Sequence, residues 1–464
     1  MKNIKIRSFM LILIIIGFFS GICFFSYDFL NNSREWAFAL YNRHLSENGN
    51  QNSGKILDRF GKVLASTENG KRIYNEDKKI RTALLHTVGD GFTLIPSSVQ
   101  SRYASDILGY NVVTGFGAPK DINSSKNITL TLDSNLCSKV SSEFKDKKGT
   151  ALAYNYQTGE VLCMVSLPTY DPNEKPNFKD DTENKFEGIY LNRAISSSYT
   201  PGSVFKIFTT IAALDLINDV ENKKYLCEKT KLVDGEKVVC MQHHGKIDLK
   251  NALCKSCDIL FGDIALELGR EKMTQKMEEL GFNRKLYFED IELSTSSYSV
   301  KDSTDGDLAW SGIGQHKDTL NPIHMLKLVG AIADNGKAIN PYIIKHIKNS
   351  NDKDLEINII SESTDFINPE TANKVKEMMR YTMKNQYKDS MFSGIPMCAK
   401  TGTAEVGEGQ LPHGWMVGFS YEDSFPIAFV VVVENGDFGI KSAGPIASSM
   451  IKYLHADFKK GKYN

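Results

Sequence analysis

From Ser8 to Tyr27 the chain reads SFMLILIIIGFFSGICFFSY, without a single charged residue. A helix rises about 1.5 Å per residue, so roughly twenty such residues cross the hydrocarbon core of a bilayer. Lys2, Lys5 and Arg7 precede the run, and a basic flank of this kind stays on the cytoplasmic side. The expectation is a cytoplasmic tail over 1–7, a transmembrane anchor over 8–27, and everything after Asp28 beyond the membrane. A cleaved signal peptide is disfavoured because no small-x-small pair closes the run. A lipoprotein site at Cys23 is disfavoured by the bulky Ile22 before it.

The rest of the 464 residues is long enough for a large core and two or three domains. Lys+Arg and Asp+Glu both number 56, a balance that argues against nucleic acid or another polyanion as the main partner. Residues 28–52 are polar and end in SENGNQNSG, a linker composition. GKILDRFGKVLAST, residues 54–67, reads as a hairpin turning at Phe60-Gly61 and opens a small α+β domain over 53–125. From residue 126 to 460 the text is more regular. A hairpin turns at Thr158-Gly159, helical stretches dominate from 203 to about 285, and strands follow in MCAKTGTAEV, GWMVGFSY and FPIAFVVVVENG. Strands at both ends with helices between predict an α/β sheet whose first and last segments meet.

Three polar clusters are candidates for one cleft. In SYTPGSVFKIFTT, residues 198–210, Pro201 and Gly202 punctuate the chain just before a helix-like run. Ser203 and Lys206 are then one helical turn apart, the spacing of a nucleophile and its general base. In KSCDILFGD, Ser256 and Asp258 alternate, so an extended segment points both the same way. In AKTGTAEV, Lys400 leads a strand, Gly402 removes a side chain where another backbone approaches, and Thr401 and Thr403 offer hydroxyls. Each cluster alone has an ordinary reading as a helix cap, a turn or a solvated face. In the order S-x-x-K, S-x-D, K-T-G they match a catalytic motif set.

With these motifs, the chain resembles a class B penicillin-binding protein, a membrane-anchored peptidoglycan D,D-transpeptidase, in a compact variant with a short N-terminal domain. The resemblance extends to TGEVLCMVSLPTYDPN, NRAISSSYTPGSVFK, GIGQHKDTLNPIHM and HGWMVGF, and covers nearly everything after residue 54. It implies a penicillin-binding transpeptidase domain, an antiparallel sheet flanked by helices plus an all-helical subdomain, preceded by a small α+β domain and one transmembrane helix. It implies that Ser203 attacks a D-Ala-D-Ala stem peptide, with Lys206 as base, kept neutral by burial and a helix N-terminus. Ser256 would relay the proton, and Lys400 would supply positive charge. Thr401 and Thr403 would hold the substrate carboxylate, and the N–H groups of Ser203 and Thr403 would form the oxyanion hole. It also implies covalent inhibition by β-lactams, an amine acceptor on a second stem peptide, no cofactor for catalysis and a separate glycosyltransferase partner. One departure stands out: Asp258 occupies a position where the family usually has Asn. An ionised carboxylate accepts hydrogen bonds but cannot donate one to a substrate carbonyl, so a bond to Lys206 is expected instead.

Of the 8 cysteines, Cys23 lies in the anchor, and Cys137, Cys163 and Cys398 read as buried fillers. Cys227, Cys240, Cys254 and Cys257 cluster, with His243 and His244 between. An exported protein can pair such cysteines as disulfides, a structural zinc takes the same residue types, and free thiols are a third reading. Some members of the family resemble this chain in carrying zinc there. For zinc the set is Cys227, Cys240, His244 and Cys257, with Cys254 in reserve and His243 solvated. A β-lactamase-like serine hydrolase and a catalytically silent scaffold are the alternatives to a transpeptidase. The first lacks an assignable base for a deacylating water, and the second is disfavoured because every nucleophilic element is present.

Overall fold

The computed structural model describes residues 2–38, 53–69, 71–109, 125–177, 185–349, 354–357, 363–407 and 409–463. The N-terminal segment is one helix, Lys2–Phe38. It continues past Tyr27, so the first part of the expected linker is helical, and residues 39–52 lie outside the described residues. Ile6–Asn31 is long and apolar enough to cross a membrane, and its most apolar stretch is not buried in the protein. Its large side chains, from Phe9 to Leu30, are exposed all round the helix. Such all-round apolarity suits lipid, whereas a helix packed on a core needs one stripe only.

The centre of the molecule is a five-stranded antiparallel sheet in the order Met397–Ala404, His413–Ser420, Ile427–Val433, Gly149–Asn155, Val161–Leu167. The last strands of the chain thus lie beside the first strands of the domain, Val433 opposite Gly149 and Ile427 opposite Asn155. Gly149–Asn155 and Ile427–Val433 are buried at every position, because helices cover both faces. Pro322–Ala333 packs on one face and Gly439–Phe458 on the other. That explains why FVVVV is a continuous apolar run and shows no alternation. Met397–Ala404 is an edge strand, so one side of its backbone is left unpaired by the sheet. Between the two halves, residues 193 to 333 supply the helices, among them Lys206–Leu216, Leu249–Lys255 and Asp258–Glu279.

The small domain is not closed on itself. Its six-stranded sheet runs Asp354–Ile357, Ile344–Lys348, Asn127–Leu130, Ile56–Leu57, Val63–Glu68, Lys71–Tyr74. Half of these strands come from beyond residue 125, where the sequence reading drew a boundary. The turn at Phe60-Gly61 is fixed by Asp58, whose Oδ1 accepts from Phe60 N at 2.9 Å and Lys62 N at 2.8 Å. Ser134 Oγ donates to the other oxygen at 2.6 Å. Arg59 then reaches across to Glu160 at 3.1 Å, tying this turn to the Thr158-Gly159 hairpin.

Candidate active site

Ser203 sits in a single 3-10 turn, Gly202–Val204, and the helix Lys206–Leu216 follows directly. The loop before it is pinned from two sides. Trp415 Nε1 donates to Thr200 O at 3.1 Å, and Gly202 N donates to Gly314 O at 2.8 Å. Gly202 has φ +55, and a Cβ there would meet Thr403 O at 2.4 Å. Gly402 is equally constrained: its Cβ would meet Pro201 O at 2.8 Å and Val204 at 3.0 Å. The turn carrying Ser203 and the edge strand carrying Lys400 can therefore approach only because both glycines lack a side chain.

Lys206 is wholly buried. Its Nζ lies 3.0 Å from Ser203 Oγ, 3.1 Å from Ser256 Oγ, 3.0 Å from Ser256 O and 2.7 Å from Asp258 Oδ1. Lys400 Nζ donates to Ser256 Oγ at 3.1 Å and to Thr401 O at 2.8 Å. One chain of contacts thus runs from Ser203 through Lys206 and Ser256 to Lys400. Lys400 is also buried, and that burial, reinforced by the nearby Lys206, pushes its pKa down to about 7, against a smaller upward pull from Asp258.

Ser256 and Asp258 reach Lys206 by a route the sequence did not suggest. They do not alternate on an extended segment. Ser256 caps the helix Leu249–Lys255 in the left-handed region, φ 56 and ψ 47, while Asp258 is the first residue of the helix Asp258–Glu279. A non-glycine residue in that region stores strain, a recurrent feature of functional sites. The carboxylate of Asp258 stands at a helix N-terminus, where negative charge is favoured.

Cys257, between them, turns the opposite way. Its Sγ joins Cys227, Cys240 and His244, with all four donor atoms within 4.8 Å of one another. The pairing of Gly245 with Cys227 brings His244 beside Cys227, and both Cys227 Sγ and Cys240 Sγ lie 3.5 Å from His244 Nδ1. Metal bonds of about 2.3 Å to sulfur and about 2.0 Å to nitrogen at tetrahedral angles give sulfur–nitrogen edges of ~3.5 Å. The Cys257 thiol, hydrogen-bonded to Cys240, pushes Cys240 down to about 5, while the same hydrogen bond and burial push Cys257 up. Three crowded sulfurs that compete for protons fit a central cation. Cys254 is not part of this group, and His243 is exposed.

Thr401 and Thr403 share one face of the edge strand, opposite Lys400 and Gly402. Thr403 Oγ1 accepts from Gly439 N at 3.4 Å. Thr401 Oγ1 is 2.8 Å from the hydroxyl of Tyr387, which also accepts from Thr401 N at 3.1 Å. No motif in the sequence singles out Tyr387. It lies in a polar run, KNQYKDS, and reaches the strand from the π-helical turn Met383–Tyr387.

Residues 149–452, more than half of the chain, match the family described as the penicillin binding protein transpeptidase domain. The chain belongs to the penicillin-binding protein transpeptidase family. Within it, the chain is 27% identical over 328 residues to the peptidoglycan D,D-transpeptidase PbpA of Mycolicibacterium smegmatis, covering 64% of each sequence. It is 28% identical over 344 residues to penicillin-binding protein 3 of Bacillus subtilis, covering 69% of this chain and 50% of that one. The chain thus spans somewhat under two thirds of the PbpA sequence it matches. Among solved structures, the ceftriaxone acyl-enzyme of penicillin-binding protein A from M. tuberculosis superposes with a TM-score of 0.76, at 20% identity, over 88% of this chain and 99% of that one. Penicillin-binding protein 2 of Pseudomonas aeruginosa gives 0.72 at 23% identity, over 86% and 94%. These transpeptidases share the fold described above, and the resemblance read from the motifs holds for the family as a whole.

Proposed function

We propose that this protein is a peptidoglycan D,D-transpeptidase that cross-links stem peptides through an acyl-Ser203 intermediate and is inactivated by β-lactams. The observation that carries the reading is the contact of Ser203 Oγ with Lys206 Nζ at 3.0 Å, continued through Ser256 Oγ to Lys400. Ser203 Oγ attacks the carbonyl of the penultimate D-Ala while Lys206 takes its proton. The ammonium so formed faces the Asp258 carboxylate. The oxyanion is met by the N–H groups of Ser203 and Thr403. Ser256, in contact with both lysines, delivers a proton to the leaving amine, and D-alanine departs. The amine of a second stem peptide then attacks the acyl-serine, and the reverse proton path restores Ser203. Thr401 and Thr403 receive the terminal carboxylate, and Lys400 supplies positive charge beside Ser256. The similarity to relatives named as D,D-transpeptidases, and the fold shared with a β-lactam acyl-enzyme, support this reading.

The apolar N-terminal helix supports a single-pass membrane protein with the catalytic domain outside the cytoplasm. The substrate's glycan strands are then made by a separate glycosyltransferase. Cys227, Cys240, His244 and Cys257 would hold a structural zinc, which with four protein ligands leaves no open position for chemistry. Catalysis itself needs no cofactor.

Incubation with a fluorescent penicillin tests the central claim. Labelling of the parent and none of Ser203→Ala, with an unchanged melting temperature, is the expected result, since truncating a partly exposed hydroxyl creates little cavity. Labelling of Ser203→Ala at the parent rate would overturn the assignment. Rapid release of hydrolysed penicillin would make the protein a hydrolase.

A further inference from the structure

The edge strand Met397–Ala404 has two kinds of backbone group. One set faces the neighbouring strand and the other faces outward. Thr401 N bonds a tyrosine hydroxyl and Thr401 O bonds Lys400 Nζ, so both groups of this residue face outward. By alternation the N–H of Thr403 faces outward as well. The unpaired edge of the strand is therefore closed at Thr401 and open at Thr403.

The group that closes it is Tyr387. Its hydroxyl has one proton, and its oxygen already accepts from Thr401 N at 3.1 Å. Among the described residues the one acceptor left for that proton is Thr401 Oγ1, at 2.8 Å. The opposite arrangement would leave a phenol O–H turned into protein without a partner, at a cost of about 1–3 kcal/mol. The direction is thereby set: Thr401 N–H donates to Tyr387, and Tyr387 donates to Thr401 Oγ1. Thr401's own proton is then free to point into the cleft. Thr403 Oγ1, which accepts from Gly439 N, is left in the same condition. Two threonine hydroxyls, each receiving a hydrogen bond from protein, present their protons together. That is a site for an anion, and the buried Lys400 stands on the other face of the strand.

The delivery of Tyr387 is also specific. It ends a π-helical turn, Met383–Tyr387, that extends the helix Pro369–Thr382, and Lys388 after it takes φ +71. An i-to-i+5 turn is rare and is frequently found at functional sites. Here it carries the tyrosine to the open edge of the sheet.

We propose that Tyr387 is a positioning residue for carboxylate recognition: by bonding both the N–H and the hydroxyl of Thr401, it fixes that hydroxyl as a donor to the substrate's terminal carboxylate. It also blocks pairing of the substrate backbone at Thr401, so the acyl group registers on Thr403. The proposal rests on the transpeptidase reading above, in which Thr401 and Thr403 receive a carboxylate.

The experiment compares acylation of the full-length protein by a penicillin and by the methyl ester of its carboxyl group, followed as acyl-enzyme by mass spectrometry. Tyr387→Phe keeps the ring and removes the hydroxyl. It should slow acylation by the acid about five-fold, the scale of one hydrogen bond, and leave the ester rate nearly unchanged. Thr401→Val should lower the same acid-to-ester ratio, and the double variant should lower it no further. Thr401→Ser, which keeps the hydroxyl, should preserve it. A role confined to holding the strand in place would slow acid and ester equally, and that result would overturn the proposal. A ratio that falls in Thr401→Val but not in Tyr387→Phe would overturn it while leaving the carboxylate site intact. A ratio unmoved by Thr401→Val would overturn the carboxylate assignment, and the proposal with it. No acylation of the parent by either compound would remove the transpeptidase reading itself.

Discussion

Four oxygens surround Lys206 Nζ: Ser203 Oγ, Asp258 Oδ1 and both oxygens of Ser256. Asp258, at 2.7 Å, makes the shortest of these contacts. Its carboxylate can accept from Lys206 but has nothing to donate to a substrate carbonyl. Asp258→Asn keeps an oxygen for Lys206 and adds an amide donor. It should speed acylation by some β-lactams, cephalosporins foremost, with little change in melting temperature. Equal rates for parent and variant across several drug classes would show that this position does not tune recognition. Lys400 yields a second expectation. Burial holds it near a pKa of about 7 in the folded protein, below the usual lysine value, so its charge is present below that pH and lost as pH rises through it. If the charge attracts the substrate carboxylate, the second-order rate of acylation by a penicillin should fall as pH rises through about 7. Lys400→Arg keeps its charge throughout this range and should abolish that limb, though at a lower absolute rate. The same limb in the arginine variant would assign the titration to another group. The shift also opposes folding below about pH 10, as the unfolded lysine holds its proton more tightly, and the penalty is complete below about 7.

The junction between the helices Leu249–Lys255 and Asp258–Glu279 has two sides. Ser256 and Asp258 face Lys206, and Cys257 faces the sulfur cluster. The residue types of both sides were visible in KSCDILFGD, but the geometry was not. The left-handed conformation of Ser256 is a tertiary effect, imposed where two helices meet, and local propensity gives no sign of it. The choice among four clustered cysteines was likewise open in the sequence. It is made by the short pairing of Gly245 with Cys227 and by the direction Cys257 takes out of the turn. Tyr387 was invisible for a related reason: its partner, Thr401, is reached from a π turn, which has no hydrophobic period to announce it. A metal in the cluster would brace the turn that holds Ser256. Chelation should therefore lower the melting temperature and slow acylation of Ser203, and more so as pH falls, because thiolate ligands must lose protons to bind. A disulfide would respond to reductant and ignore the chelator. Elemental analysis of protein purified without added metal decides between them. Less than about 0.2 zinc per chain, with two fewer free thiols than cysteines, would replace the metal with a bridge.

In the molecule as a whole, the candidate site is assembled from segments far apart in the chain. The Ser203 turn and the Lys400 strand come together because Gly149–Asn155 pairs with Ile427–Val433. That closure was legible, since strong strand patterns stood at both ends of a helical stretch. The six-stranded sheet was not. Ile344–Lys348 and Asp354–Ile357 are short and only partly apolar, with no local signal that they belong to a sheet begun at Ile56. The strand Asn127–Leu130 lies between Ile56–Leu57 and Ile344–Lys348 and pairs with both. Ile128 and Leu130 are wholly buried there, as are Ile56 and Ala65. The two domains named from the sequence therefore share one sheet, and cutting at their boundary removes a strand's partner. This separates two truncations. Protein starting at Ser53 loses only the apolar helix and the segment after it, and should melt where the full chain does and react with a penicillin at the same rate. Protein starting at Lys126 leaves Asn127–Leu130 as an open apolar edge, an invitation to aggregation. It also loses the burial of several large side chains, each about 1.5–3 kcal/mol. At about 2–4 °C per kcal/mol for a domain of this size, its melting temperature should drop by about 10 °C or more. Thermal melts of the two truncations, beside the full chain in detergent, check this directly, and equal melting temperatures would show that the transpeptidase domain is closed without the N-terminal strands.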